Sequence, residues 1–146
     1  MEIKVFNENE KLNESEKKKV VEFLHDHLDQ YGDDLESITK AFDYAQKNTE
    51  SFGGFIIECI DNDKIIGCSI VNKTGMSGYI PENILVYIAV DRDYRGKGAG
   101  KLIMNKISDI CIGDIALHVE SDNPARFLYS KIGFVKKYDE MRYIRG

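Results

Sequence analysis

One segment, residues 84–104, constrains the fold of this chain more than any other. Residues 84–90 are apolar and mostly β-branched, which is typical of a buried strand. The apolar residues from Leu102 to Ile107 recur at helical spacing. Between the two stretches, glycine occupies three alternate positions, which are Gly96, Gly98 and Gly100. The order strand, glycine loop, helix therefore predicts an α/β fold built around this unit.

The glycine loop has the properties of an anion site. Glycines allow consecutive backbone N–H groups to point into one concavity, and the first turn of a helix adds free donors and a positive dipole end. Arg95, Lys97 and Lys101 add positive charge at the rim. The pattern favours a phosphate ligand, although a glycine-rich connection that binds nothing is the alternative.

Two familiar phosphate loops do not fit the spacing. A P-loop needs four residues between its first glycine and the Gly-Lys pair, whereas three residues separate Gly96 from Gly100. The dinucleotide fingerprint needs a glycine in sixth place, and the chain has Lys101 or Ile103 there, depending on the starting glycine. Both motifs are therefore excluded.

The pattern Arg95-x-x-Gly98-x-Gly100 closely resembles the acyl-CoA signature of the GNAT superfamily of N-acetyltransferases. Residues 123–134 resemble the second signature of that family, with an Asn-Pro-Ala start, Tyr129, and a closing Gly-Phe. The resemblance covers roughly residues 64–143. It implies a GNAT fold of the α/β class, with a mixed central sheet that is splayed between the fourth and fifth strands and flanked by helices.

The resemblance also implies acetyl-CoA as the acyl donor and places its binding site. The loop backbone would contact the pyrophosphate, the fourth strand would pair with the pantetheine arm, and the start of the second signature would add one contact. Asn123 is equally well suited to capping a helix. The implied binding residues are Ile88, Ala89, Val90, Arg95, Gly96, Lys97, Gly98, Ala99, Gly100, Lys101 and Asn123.

Two catalytic residues are expected. By its place in the second signature, Tyr129 matches the general acid of the family. A phenol with a reference pKa near 10 stays protonated at neutral pH and can give its proton to a departing thiolate. His118 is the first candidate for a general base, since on a strand it would share a face with Glu120 and its reference pKa is near 6.5. A packed or exposed strand residue is the alternative for His118.

The resulting hypothesis is an N-acetyltransferase that moves an acetyl group from acetyl-CoA to a primary amine by direct attack. No cysteine lies in either signature, so a covalent acetyl-enzyme is not indicated, and no metal site is expected. Two rivals stay open: a non-catalytic sensor or interaction module that binds acetyl-CoA, and an enzyme that uses a different acyl donor.

Length and charge add further expectations. A chain of 146 residues should form one domain, with residues 1–63 as acceptor-side helices and first strands and residues 64–146 as the acetyl-CoA-binding core. Residues 1–63 hold 7 basic and 16 acidic side chains, against 13 and 9 in the remainder. This asymmetry suits a cationic amine acceptor beside an anionic donor, but solvated acidic helices would also produce it.

Other partners and the location follow from what the sequence lacks. No basic face is interleaved with aromatic residues, so nucleic acid is not expected as a partner. No apolar run is long enough for a membrane span, and the N-terminal residues do not have the layout of a signal peptide, so a cytoplasmic protein is expected. Homodimers are common in the family that the chain resembles.

The periodicity of the remaining chain predicts the other elements. Asn13 and Glu16 suit a capping box for the first helix, and Asp33 or Asp34 suits the start of the second. The predicted elements are a strand at residues 3–5, helices at 14–31 and 34–45, strands at 55–60 and 64–71, a helix to about residue 112, a strand at 115–120, a short helix that Gly133 ends, and closing strands at Val135 and residues 141–144.

Overall fold

The computed structural model describes residues 1–146 and has a single sheet with helices on both faces. No helix is long and apolar enough to cross a bilayer. The elements in chain order are β1 (Glu2–Phe6), α1 (Glu14–His27), a 3-10 turn (Asp29–Tyr31), α2 (Leu35–Gln46), β2 (Gly54–Asp61), β3 (Lys64–Lys73), β4 (Asn83–Val90), a 3-10 turn (Arg92–Tyr94), α3 (Ala99–Ile110), β5 (Ile115–Leu117) and α4 (Ala125–Ile132).

The sheet has the order β1-β2-β3-β4-β5. The first four strands are antiparallel neighbours, and β5 lies parallel to β4. One apolar core lies between the sheet and the pair α1 and α2, and the other lies between the sheet and the pair α3 and α4. The pairing of β5 with β4 ends at Leu85 and Leu117, after which β4 is paired only with β3. The prediction of a mixed sheet, splayed between its fourth and fifth strands, is confirmed.

A β-bulge at Val86 interrupts the alternation of β4. Leu85 pairs with Val71 and Tyr87 pairs with Ile70, so Val86 has no partner on β3. Leu85 therefore packs on the α3 side, whereas Val86 and Tyr87 both pack on the α1 side. A bulge places two consecutive side chains on one face of a strand in this way.

The first two helices begin where their capping residues predict. The Asn13 side chain accepts from the Glu16 N–H, and the Glu16 carboxylate accepts from the Asn13 N–H, which completes the capping box. The Asp34 carboxylate accepts from the Ser37 N–H at 2.7 Å. However, α1 ends at His27, before the predicted end, and the 3-10 turn fills the interval to Gly32.

The prediction of closing strands at Val135 and residues 141–144 is wrong. No helix or strand follows Ile132, and the apolar side chains of this segment are solvent-exposed, Met141 by 93%. β5 is also shorter than predicted and ends at Leu117, so His118 and Glu120 do not share a strand face. Alternating apolar residues form a stable strand only when a neighbouring strand pairs with them, and that pairing is not local in sequence.

Glu58 is buried on β2, and its ionised form is unfavourable there. Desolvation, with the nearby Glu16 carboxylate, raises the pKa of Glu58 above its ordinary value of 4.5. When the pKa of an acid is higher in the folded protein than in the unfolded chain, the free energy of unfolding falls as pH rises from the unfolded pKa to the folded one.

We expect Glu58→Gln to raise the midpoint of thermal unfolding at pH 7.5 by about 2–4 °C, since it removes the buried charge. The gain should shrink at pH 4, where the wild-type carboxyl is protonated. Thermal unfolding at both pH values measures this, and Glu50→Gln, at an exposed glutamate, is the matched control. A lower midpoint for Glu58→Gln at pH 7.5 would show instead that the carboxylate stabilises the fold.

Candidate functional site

The glycine loop connects β4 to α3 as predicted. The Asp91 carboxylate accepts from the Asp93 N–H at 2.9 Å and so begins the turn that follows β4. Gly96 has φ +79° and Gly98 has φ +91°, a left-handed conformation that side-chain-bearing residues rarely adopt. Neither glycine has a protein atom within 4 Å of the place where a Cβ would lie. Backbone conformation therefore requires glycine at both positions, and the space above them is open.

The backbone N–H groups of residues 96–101 have no acceptor in the protein. Gly98 caps α3 without a side-chain hydrogen bond, and the first N–H of α3 to find a partner is that of Leu102, which donates to Gly98 O at 3.0 Å. Six consecutive unpaired donors at the positive end of a helix dipole fit a pyrophosphate. Lys97 and Lys101 are exposed beside them and add positive charge.

The free edge of β4 lies directly before this loop. From Val86 onward β4 has a partner only on its β3 side, because β5 ends at Leu117. Ile88 and Val90 are half-buried towards α3, and Ala89 is buried towards α1. An extended amide-bearing chain could add to such an edge as a further strand. The predicted role of Ile88, Ala89 and Val90 is compatible with this geometry and stays a prediction.

Tyr129 lies on α4, in the same core as α3. It is 8% exposed, and burial raises the pKa of Tyr129 to about 12. Its hydroxyl makes no hydrogen bond within the protein. Leu128 Cδ2 would lie 3.3 Å from a Cβ at Gly100, so α4 and the start of α3 are in close contact. The structure thus brings the two signatures together and keeps the Tyr129 phenol protonated.

Two other predicted site residues lie on the connection between β5 and α4. Asn123 Oδ1 accepts from the N–H of Ala125, the first residue of α4, at 2.9 Å, so its carbonyl oxygen is occupied and its amide N–H groups remain for a ligand. His118 follows the end of β5, is exposed and makes no hydrogen bond. Nothing in its surroundings orients the imidazole, and its role as a base stays a prediction.

The Arg95 side chain is held by groups of the protein itself. Its three guanidinium nitrogens donate to Val90 O, to the Asp29 carboxylate and to His27 O, at 3.2, 3.2 and 2.8 Å. All three nitrogens have protein partners, whereas the loop backbone carries free donors, and the predicted role of Arg95 in binding the donor stays a prediction.

The segment between α1 and α2 contributes residues to which the sequence pattern assigned no role in the site. The Tyr87 hydroxyl donates to the Asp33 carboxylate at 2.5 Å, and the Tyr31 hydroxyl donates to Asp122 O at 3.2 Å. Desolvation and the Asp33 carboxylate raise the pKa of Tyr87, and desolvation with Asp122 raises the pKa of Tyr31. The segment therefore bridges β4 and the connection that precedes α4. Tyr87, a polar-tipped residue within the apolar run of β4, was the sequence feature that could have indicated such a contact.

An acidic rim accompanies these contacts. Asp34 lies near the Tyr87 hydroxyl, beside Asp33, and Glu120 lies near Tyr31, beside Asp122. No group of three or more His, Cys, Asp or Glu side chains is arranged to hold a metal ion. This negatively charged region adjoins the free edge of β4, whereas the glycine loop at the end of that strand is positively charged.

Comparison with known proteins gives a family match that includes both the glycine loop and α4. The profile of the Acetyltransferase (GNAT) family matches residues 20–134. The matched range ends two residues after α4, which is the last regular element of the structure. The family match thus includes the glycine loop, the free edge of β4 and Tyr129.

One curated relative is the alanine N-acetyltransferase of ribosomal protein bS18 from Haemophilus influenzae. It is 34% identical over 92 residues, which is 60% of this chain and 60% of the relative, so the chain spans less than two thirds of that protein. The sequence likeness is therefore partial on both sides.

Solved structures share the fold over the whole chain. An aminoglycoside acetyltransferase from an uncultured soil metagenomic sample superposes with a TM-score of 0.70 at 17% identity, covering 100% of both chains. Ard1 from Thermoplasma volcanium has a TM-score of 0.68 at 16% identity, covering 94% of this chain and 84% of that one. Together with the profile match over residues 20–134, the geometry shows that this chain belongs to the GNAT family of acetyltransferases.

Proposed function

We propose that this protein transfers an acetyl group from acetyl-CoA to a primary amine of a cationic acceptor, by direct attack of the amine. The observation that carries the proposal is the row of six unpaired backbone N–H groups at residues 96–101, next to the free edge of β4. Acetyl-CoA supplies the activated thioester, and GNAT acetyltransferases generally use it as donor.

The chain's own residues would hold the donor through its two polar parts. The N–H groups of residues 96–101 bind the pyrophosphate, with Lys97 and Lys101 adding positive charge. The backbone of Ile88, Ala89 and Val90 pairs with the amide-bearing arm at the free edge of β4. Two separated contacts orient the acyl group and make the transfer effectively intramolecular.

Tyr129 would act as the general acid. Its pKa of about 12 keeps the phenol protonated at neutral pH, and its hydroxyl donates to no protein group. The proton passes from the phenol oxygen to the sulfur as the carbon–sulfur bond breaks, so that CoA leaves as a neutral thiol. His118 would accept, directly or through water, the proton that the acceptor ammonium loses before its free amine attacks the carbonyl carbon, and the proton released when the new C–N bond becomes an amide would return to the Tyr129 oxygen.

The acidic rim supports a cationic acceptor. Asp33, Asp34, Glu120 and Asp122 lie around Tyr31 and Tyr87 and attract positive charge. The curated relative is named for an alanine of a ribosomal protein, and a solved structure of the same fold is named as an aminoglycoside acetyltransferase. A basic peptide N-terminus and a polyamine-like small molecule are therefore the two acceptor types to compare.

Thiol release from acetyl-CoA, measured with a panel of amines, tests the proposal. We expect turnover with at least one cationic amine among basic peptides with N-terminal alanine, aminoglycosides and linear polyamines. We expect at least tenfold lower kcat/KM for an acidic peptide of the same length, because the acidic rim repels it. Raising ionic strength should narrow this difference.

Two outcomes would contradict the transfer reaction, and a third would contradict the cationic acceptor. If calorimetry detects acetyl-CoA binding but no amine accelerates thiol release, the protein is better described as a non-catalytic sensor. If acetyl-CoA does not bind at all, the glycine loop is a connection without a ligand. Preference for an acidic or neutral acceptor would retain the transfer reaction and reject the proposed role of the acidic rim.

A further inference from the structure

The C-terminal end of α1 is fixed to the segment that leads into the glycine loop. The backbone carbonyls of Asp26 and His27 accept from the guanidinium groups of Arg92 and Arg95, respectively. The Arg92 N–H also donates to His27 Nδ1 at 3.4 Å. Guanidinium groups at the last carbonyls of a helix are favoured by its dipole. The two arginines therefore join the α1 layer to the loop that follows β4.

Asp29 holds both arginines at once. Its two carboxylate oxygens accept from Arg92 Nε at 2.7 Å and from Arg95 Nη1 at 3.2 Å. The hydrogen bond from Arg92 is the largest of the influences that lower the pKa of Asp29. The carboxylate thus stays ionised and places two guanidinium groups side by side.

The backbone of Asp29 is unusual. It has φ +56°, a left-handed conformation that only asparagine, aspartate and glycine adopt with ease. This turn follows directly after the end of α1 and directs the carboxylate back across the helix end towards the arginines. Local chain geometry and the ionic contacts therefore favour the same arrangement.

Arg95 is the member of this group that reaches the glycine loop. It precedes Gly96, and each of its guanidinium nitrogens has a protein partner, so its position is fixed from three directions. Single exposed ion pairs contribute little to stability. Here, however, one carboxylate links two arginines that also bind backbone carbonyls, and such a network fixes geometry more strongly than an isolated pair.

We propose that Asp29 is a positioning residue for the donor site: by holding Arg95 it fixes the segment before Gly96, so that the N–H groups of residues 96–101 converge on the pyrophosphate. This inference rests on the proposed function, because it assumes that acetyl-CoA binds at the loop. It assigns Asp29, on the α1–α2 connection, to the binding of acetyl-CoA and not to the acceptor.

Calorimetric titration with acetyl-CoA tests the role of Asp29. Asp29→Asn removes the charge and retains a residue that tolerates φ +56°. We expect its Kd to rise about fivefold, with KM for acetyl-CoA rising equally and kcat changing less than about twofold. Asp26→Asn makes the same charge change three residues earlier, where only the backbone carbonyl has a partner, and should leave Kd unchanged.

A double-mutant cycle distinguishes positioning through Arg95 from a general structural defect. In the background of Arg95→Gln, which removes the guanidinium, Asp29→Asn should change Kd less than about twofold. An unchanged Kd for Asp29→Asn alone, or the same fivefold loss in both backgrounds, overturns the inference. Tighter binding of acetyl-CoA by Asp29→Asn would also overturn it, because Asp29 would then be keeping Arg95 away from the pyrophosphate. If wild-type protein does not bind acetyl-CoA, the proposed function fails first.

Discussion

Tyr129→Phe is expected to lower kcat for thiol release by about 100-fold to 1,000-fold, the lower part of the roughly 10²-fold to 10⁴-fold that a positioned general acid contributes. Phenylalanine preserves the shape of the side chain, and the hydroxyl that is lost makes no hydrogen bond in the protein. The thermal midpoint and the Kd for acetyl-CoA should therefore stay within error of wild type. Steady-state kinetics with the best amine, together with calorimetry, measures both quantities.

The pH dependence gives an independent check of the same role. Since burial raises the pKa of Tyr129 to about 12, the phenol stays protonated across the usual assay range and adds no alkaline decline in rate below about pH 11. Tyr143→Phe, at a tyrosine that is 83% exposed, is the matched control and should leave kcat unchanged. A loss of less than threefold in Tyr129→Phe would show that another group protonates the thiolate.

Gly98→Val is expected to raise the Kd for acetyl-CoA by at least about 100-fold. Gly98 has φ +91° at the N-cap of α3, a conformation that a β-branched residue essentially does not adopt. The loop must therefore change its path, and the unpaired N–H groups at residues 96–101 no longer converge. The valine side chain would also extend into the open space where no protein atom lies within 4 Å.

Gly78→Val separates the effect on the site from the effect of backbone strain. Gly78 has φ +75° and is equally free of neighbouring atoms, but it lies in the loop before β4 and not beside the unpaired N–H groups. We expect Gly78→Val to lower the thermal midpoint by an amount similar to Gly98→Val and to leave the Kd for acetyl-CoA unchanged. Equal losses of affinity in both variants would refute the assignment of the glycine loop.

The features that the sequence predicted are those whose causes are local. Strand β4, the loop with Gly96 and Gly98, and helix α3 follow one another, and each is set by residues within a few positions of itself. The same holds for the capping box of Asn13 and Glu16. The order of these elements predicted the mixed sheet, and the resemblance carried by the two signatures implied its splay.

The features that the sequence missed depend on contacts between distant parts of the chain. Arg95 and Asp29 are 66 positions apart, and Tyr87 and Asp33 are 54 apart, so no periodicity relates them. The predicted strand at residues 141–144 is wrong for a related reason, because its apolar alternation does not specify a partner. His118 illustrates the same limit, since the length of β5 depends on how far it pairs with β4.

The bulge at Val86 divides β4 into two halves, and the alternation of side chains between the two faces of the sheet is shifted by one residue from one half to the other. In the first half, Asn83 Nδ2 donates to Ile112 O and Asp114 O and so anchors the start of β5, whereas in the second half Tyr87 contacts Asp33. Deleting one residue at this point would restore strict alternation and force one of these anchors onto the wrong face. A chimera could exchange either the acceptor-side helices or the glycine loop with those of a relative. Such a chimera must keep Val86 together with Tyr87, because otherwise the contacts of Asn83 and of Tyr87 cannot both form.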